Sequence, residues 1–170
     1  MDGTLAVIFV VMGLTDMGLT YCPTSGCLAE VPETGRLGIQ AGAVSYQEER
    51  IGQEIALDYA LPRSYGPFQP AVGFSVSDES TAWAGFGLRT DYDFGRGVTI
   101  EGSLMPGFYA PGDGPDIGGN LQFRSSLGVS YEFLNEARVG VYYDHRSNAG
   151  IQDDNPGLET YGLRVSFPLR

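Results

Sequence analysis

The stretch that decides the fold is residues 121–133, LQFRSSLGVSYEF. Leu121, Phe123, Leu127, Val129, Tyr131 and Phe133 share one parity, broken only by Ser125, while Gln122, Arg124, Ser126, Ser130 and Glu132 share the other. Successive side chains of a strand point to opposite faces, so this period of two reads as one apolar and one polar face. In water such a strand is half-buried. In a membrane barrel its apolar face meets lipid and its polar face lines the lumen.

The same pattern recurs to either side. Tyr161, Leu163, Val165, Phe167 and Leu169 stand opposite Thr160, Arg164 and Ser166. Period-two segments separated by Gly, Pro, Asn and Asp clusters predict eight strands, at 36–46, 52–61, 68–77, 81–92, 97–106, 121–133, 137–147 and 158–168. Eight is the smallest even number for a single-chain outer-membrane barrel, and ~10 residues suit a tilted crossing of the bilayer. The expected fold is therefore all-β: an eight-stranded antiparallel transmembrane β-barrel over residues 30–170.

Connection lengths add an orientation. The turns at 94–96 and 134–136 are tight, whereas 107–120 and 148–157 are long. Short periplasmic turns and longer external loops are the rule in such barrels, which puts both long loops outside the cell. Two connections depart from it: 77–80 is short for an external loop, and 62–67 long for a periplasmic one.

Composition narrows the function. The net charge of −11 and ten scattered arginines, with no lysine, give no basic stripe for nucleic acid. Twenty-five glycines and 12% aromatics accompany a mean hydropathy near zero. That balance suits strands whose two faces see different solvents.

Residues 5–14, LAVIFVVMGL, have the length of a signal-peptide core and are too short to span as a helix. Cys27-Leu28-Ala29 offers small residues where a signal peptidase reads, so residues 1–29 read as a signal peptide, although Met1-Asp2-Gly3 carries no positive charge. Removal of that segment would take both cysteines, Cys22 and Cys27, with it; whether they pair is left open.

The chain has one histidine, within Tyr143-Asp144-His145-Arg146-Ser147. Positions i and i+2 of a strand share a face with Cα atoms ~6.6 Å apart, close enough for a ring nitrogen to reach a serine hydroxyl and activate it. Glu159 lies fourteen residues further on. A hairpin symmetric about Gln152 sets it opposite His145, ~5 Å away on the same face. This is the serine–histidine–acid arrangement, recognised by roles rather than order.

All three share parity with Val139, Val141, Leu163 and Val165, and so stand on the lipid side near the external ends of their strands. Ionisable groups facing lipid are costly and mark function. A histidine near a serine recurs by chance, and Glu159 alone is an ordinary strand-start residue. Asp153-Asp154-Asn155 reads as a hydrophilic loop tip rather than a cation site. Trp83, Tyr142 and Tyr143 read as an interfacial aromatic girdle, and Arg124 and Glu101, on polar faces, as lumen partners.

His145-Arg146-Ser147-Asn148-Ala149-Gly150 and Asn155-Pro156-Gly157-Leu158-Glu159 together resemble the signature of the PagL family, the lipid A 3-O-deacylases. Residues 103–108 and 121–125 extend the likeness through the C-terminal half; the N-terminal half matches in strand pattern only. The resemblance implies an eight-stranded barrel in the outer membrane of a Gram-negative bacterium, its site toward the outer leaflet. It implies lipid A, or lipopolysaccharide, as substrate, an ester at the 3 position as the bond cleaved, and neither metal nor cofactor. It further implies Ser147 as nucleophile, His145 as base and then acid, Glu159 as its orienter, and Asn148 (side chain) and Gly150 (backbone N–H) as oxyanion donors. The terminal Arg170 departs from the aromatic residue that usually ends such barrels.

Two rival readings stand beside this one. An outer-membrane phospholipase also sets histidine and serine two apart, but in a larger barrel, with an amide as third member and calcium. The other is a non-catalytic structural or adhesion barrel. A homodimer and a monomer both remain open.

Overall fold

The structure, a computed structural model, describes residues 3–169; Met1, Asp2 and Arg170 lie outside them. Helix α1 (Thr4–Asp16) runs into a π-helical turn at Met17–Tyr21. Ten strands follow: β1 Glu30–Pro32, β2 Gly35–Tyr46, β3 Glu49–Ala60, β4 Arg63–Tyr65, β5 Gln69–Ser77, β6 Ala82–Gly95, β7 Val98–Ala110, β8 Leu121–Glu132, β9 Arg138–Ser147 and β10 Leu158–Leu169.

Eight of these close into an antiparallel barrel in the order β10-β2-β3-β5-β6-β7-β8-β9. They are the eight that the alternation predicts, with edges shifted by a few residues. The largest shift is in β7, which continues past Pro106 to Ala110 with Pro106 facing Phe123 of β8. A proline costs a ladder only the N–H it cannot donate, so it need not end the strand. The long connection 61–68 has a structural cause: it contains β4, which pairs with β1.

Alternation sorts the side chains as expected. Ile55, Phe74, Phe86, Val129, Val141 and Leu163 are exposed on the outer wall. So large an apolar surface is tolerated where lipid, not water, is the neighbour. Inside, Arg36, Arg89, Arg124, Arg138, Arg146 and Arg164 meet Glu54, Asp58, Asp91, Glu101, Glu132 and Asp144. Arg124 Nε donates to Asp144 at 2.9 Å, Arg146 Nη2 to Glu54 at 2.6 Å and Arg164 Nη2 to Asp58 at 2.8 Å. The six arginines and six carboxylates of this network balance one another in charge. Arg124 and Glu101 are thus lumen partners, as their parity requires.

Two aromatic assignments need correction. Trp83 and Tyr142 are 1% and 4% exposed and belong to the interior, not to an interfacial girdle. Trp83 shares parity with Arg89, and its indole lies in a hollow made by Gly73, Gly85 and Gly107, which sit side by side on three strands. A Cβ on Gly85 would come within 2.4 Å of the indole, and one on Gly107 within 2.7 Å. The guanidinium of Arg124 covers the ring at 5.4 Å, a cation–π contact. Tyr143, on the outer parity, is half-buried.

Helix α1 lies against the outside of β6, β7 and β8, with Phe9 over Gly102 and Gly13 against Phe68. Thr4–Tyr21 is an 18-residue apolar segment of mean hydropathy 1.6 near the N-terminus. Cys22 and Cys27 are joined in a disulfide.

Candidate active site

β9 changes character along its length. Val139 and Val141 face outward and are exposed, whereas Tyr142, Asp144 and Arg146 point into the lumen and are buried. His145 and Ser147 continue the outward parity but are only 4% and 8% exposed. At this end the wall is covered by the returning loop, whose Gly157 packs on the imidazole.

The register brings His145 opposite Glu159 of β10 on one side and Ser125 of β8 on the other. His145 Nδ1 lies 3.2 Å from Glu159 Oε1, which fixes that nitrogen as the donor when the carboxylate is charged. Nε2 is buried and has no hydrogen-bond partner among the described residues. A neutral imidazole held in this way presents Nε2 as a lone-pair acceptor. That is the atom a serine hydroxyl would use.

Ser147 follows on the same face, two residues along and opposite Phe123. Among the described residues no hydrogen bond joins its hydroxyl to His145. Catalytic hydrogen bonds of a ligand-free site are commonly long and tighten only on substrate. Glu159 is 18% exposed at the side chain, against 6% for His145.

Asn148 and Gly150 occupy the start of the loop that follows. Asn148 is fully buried and donates through Nδ2 to Gly118 O at 2.9 Å and Asp154 O at 2.6 Å. Its Oδ1 accepts from Gly150 N–H at 2.9 Å, and its own N–H donates to Asn155 Oδ1 at 3.0 Å. Asn148 therefore ties the loops 111–120 and 148–157 together, and both of the donors implied for an oxyanion are engaged within the protein.

Two residues at the site were not singled out from the sequence. Ser125 is 4% exposed, and its hydroxyl donates to His145 O at 3.4 Å; its signal was the one break in the apolar face of 121–133. Gly157 showed no signal beyond membership of an Asn-Pro-Gly turn. No group of three His, Cys, Asp or Glu side chains among the described residues is arranged to hold a metal ion.

A closed eight-stranded barrel with an apolar wall and a polar lumen defines an outer-membrane β-barrel, here with a histidine–carboxylate pair set into the wall. The family model for lipid A 3-O-deacylase (PagL) matches residues 40–168, and the chain belongs to that family. Two relatives named lipid A deacylase PagL are each 37% identical: that of Pseudomonas aeruginosa over 54 residues, 32% of this chain and 31% of the relative, and that of Bordetella bronchiseptica over 51 residues, 30% and 29%. The matched segment thus spans about a third of the length of each. The crystal structure of the outer membrane enzyme PagL superposes with a TM-score of 0.61 at 20% identity, over 79% of this chain and 99% of the other. A structure from the de novo design of transmembrane β-barrels gives 0.56 at 10% identity, over 82% and 98%. These two likenesses carry the fold.

Proposed function

We propose that this protein is a lipid A 3-O-deacylase that hydrolyses the ester-linked 3-hydroxyacyl chain at the 3 position of lipid A, working at the outer leaflet through Ser147, His145 and Glu159. The observation that carries the reading is the His145–Glu159 pair: Nδ1 and Oε1 are 3.2 Å apart on the membrane side of the barrel, and Nε2 is left without a partner. Family membership supplies the substrate class. The mature domain would begin near Glu30 after removal of residues 1–29 as a signal peptide.

His145 Nε2 takes the proton of the Ser147 hydroxyl as the oxygen attacks the ester carbonyl. Glu159 stabilises the imidazolium that forms, through the proton on Nδ1. The tetrahedral intermediate collapses, and His145 returns its proton to the sugar oxygen as the leaving alcohol. Water, deprotonated by the same nitrogen, then cleaves the acyl-Ser147 ester and frees a 3-hydroxy fatty acid.

Donors aimed at the developing oxyanion are commonly worth ~3 kcal/mol each. Asn148 Nδ2 and Gly150 N–H would fill that role by exchanging their present partners, Gly118 O, Asp154 O and Asn148 Oδ1, for the substrate oxygen.

Purified protein in detergent is expected to shorten lipid A by one 3-hydroxyacyl chain, with or without chelator, and Ser147→Ala to abolish this while the barrel stays folded. Undiminished turnover by Ser147→Ala would remove Ser147 as the nucleophile. Hydrolysis of phospholipid in preference to lipid A would overturn the substrate class.

A further inference from the structure

Glu159 holds His145 at Nδ1, but one hydrogen bond lets an imidazole pivot about it. The opposite constraint comes from Gly157, the last residue of the loop before β10. Gly157 is buried, with φ of +75°. A Cβ built on it would lie 2.6 Å from His145 Cε1 and 3.4 and 3.5 Å from Nε2 and Nδ1.

The two nitrogens are nearly equidistant from that point, so the glycine meets the ring edge-on, at Cε1–H, the edge farthest from the side-chain stem. The surroundings are stiff. Leu158, next in sequence, is fully buried and paired with Arg146. Pro156 precedes Gly157 and fixes its own φ.

We propose that Gly157 is a positioning residue for His145: its bare Cα is the backstop of the imidazole, and with Glu159 it fixes where Nε2 points. The proposal rests on His145 as the base of the reading above. A methyl group at position 157 would sit about 0.8 Å inside the 3.4 Å at which ordinary contact begins, so the ring must move by about that much. Misplacement of a catalytic group by ~1 Å costs about 100-fold in rate. The loss should fall on kcat, because Gly157 has no side chain with which to grip an acyl chain and its contact is with the His145 ring.

A positive φ strains any alanine, and this must be separated from the clash. Gly119 is the control: its φ is +88°, it lies in the other long loop, and its Cβ would meet only the flexible Gln152 side chain, at 3.5 Å or more. Gly157→Ala, Gly119→Ala and the wild-type protein are compared in detergent on lipid A, with kcat and KM separated. Because His145 is the chain's only histidine, a 1H–13C spectrum reports its Cε1–H as one resonance.

The expected result is a kcat about 100-fold lower in Gly157→Ala, with KM little changed and the Cε1–H resonance displaced. Gly119→Ala should leave both near wild type. A Gly157→Ala enzyme within threefold of wild type, or an equal loss in Gly119→Ala, overturns the proposal.

Should Gly157→Ala fail to fold, the wild-type protein still decides. A strong nuclear Overhauser effect between the Gly157 Hα protons and His145 Cε1–H is expected, and its absence refutes the contact. Inactive Ser147→Ala and His145→Ala beside a fully active Gly157→Ala would refute the positioning role alone. Active Ser147→Ala and His145→Ala would instead overturn the triad.

Discussion

Glu159→Gln removes the negative charge that faces His145 Nδ1 and keeps the length of the side chain. At 3.2 Å, a full imidazolium–carboxylate pair is worth ~5 kcal/mol at an effective dielectric constant of about 20, and ~1 kcal/mol in bulk water. Glu159 is 18% exposed and His145 6% at the side chain, so the site lies between these limits. An interaction of ~3 kcal/mol, present only once the ring has taken the serine proton, corresponds to a loss of about 100-fold in kcat. The assay is single-turnover release of 3-hydroxy fatty acid from lipid A in detergent micelles. Because Glu159 pairs with no lumen charge among the described residues, the variant and the wild type should show the same folded gel migration. A kcat within threefold of wild type would show that the 3.2 Å contact does not act on the transition state, and the role given to Glu159 would fall.

Three further variants test other parts of the structure. Ser125→Ala removes only a long hydrogen bond to His145 O, worth at most ~1 kcal/mol, so kcat should fall no more than about fivefold; a loss beyond 100-fold would give Ser125 a part in the chemistry. Arg146→Met leaves Glu54 with Arg124 at 3.1 Å as its remaining cation, and breaking such a buried pair costs ~3 kcal/mol or more. Its thermal transition, read by gel migration, should fall, and adding Glu54→Gln should restore part of it; equal stability of single and double variants would contradict the pairing. Gly85→Ala sets a methyl 2.4 Å from the indole of Trp83 and 2.6 Å from Pro106 O, an overpacking cost of ~1–3 kcal/mol. Trp83 is the only tryptophan, so its emission should shift; an unchanged spectrum and stability would argue against the glycine hollow.

The parity of residues 121–133 was enough to reach the barrel, because lipid and lumen impose opposite chemistry on alternate side chains along every strand. The pairing of His145 with Glu159 was legible for a related reason: a hairpin centred on Gln152 can align them in only one way, and the register does so. Trp83 and Tyr142 were misassigned because residue type was weighed over parity. Both share the inward parity of Arg89, Arg124 and Arg146, and the space for the indole exists only where Gly73, Gly85 and Gly107 align across three strands. No one-dimensional pattern shows that alignment. The same holds for Gly157, whose contact with His145 joins a loop to a strand, and for Asn148, whose hydrogen bonds reach two loops. Pro106 illustrates the opposite error, a local breaker signal overridden by a ladder that did not need its N–H.

Mass spectrometry of lipid A from Gram-negative cells expressing the wild-type chain, beside cells expressing Ser147→Ala at equal outer-membrane abundance, tests the central claim most directly. The account predicts that lipid A from the wild-type cells alone lacks the mass of one 3-hydroxyacyl chain, missing from the 3 position. Identical lipid A in the two cultures, with the wild-type barrel folded in the membrane and active conditions reproduced in detergent, would contradict it.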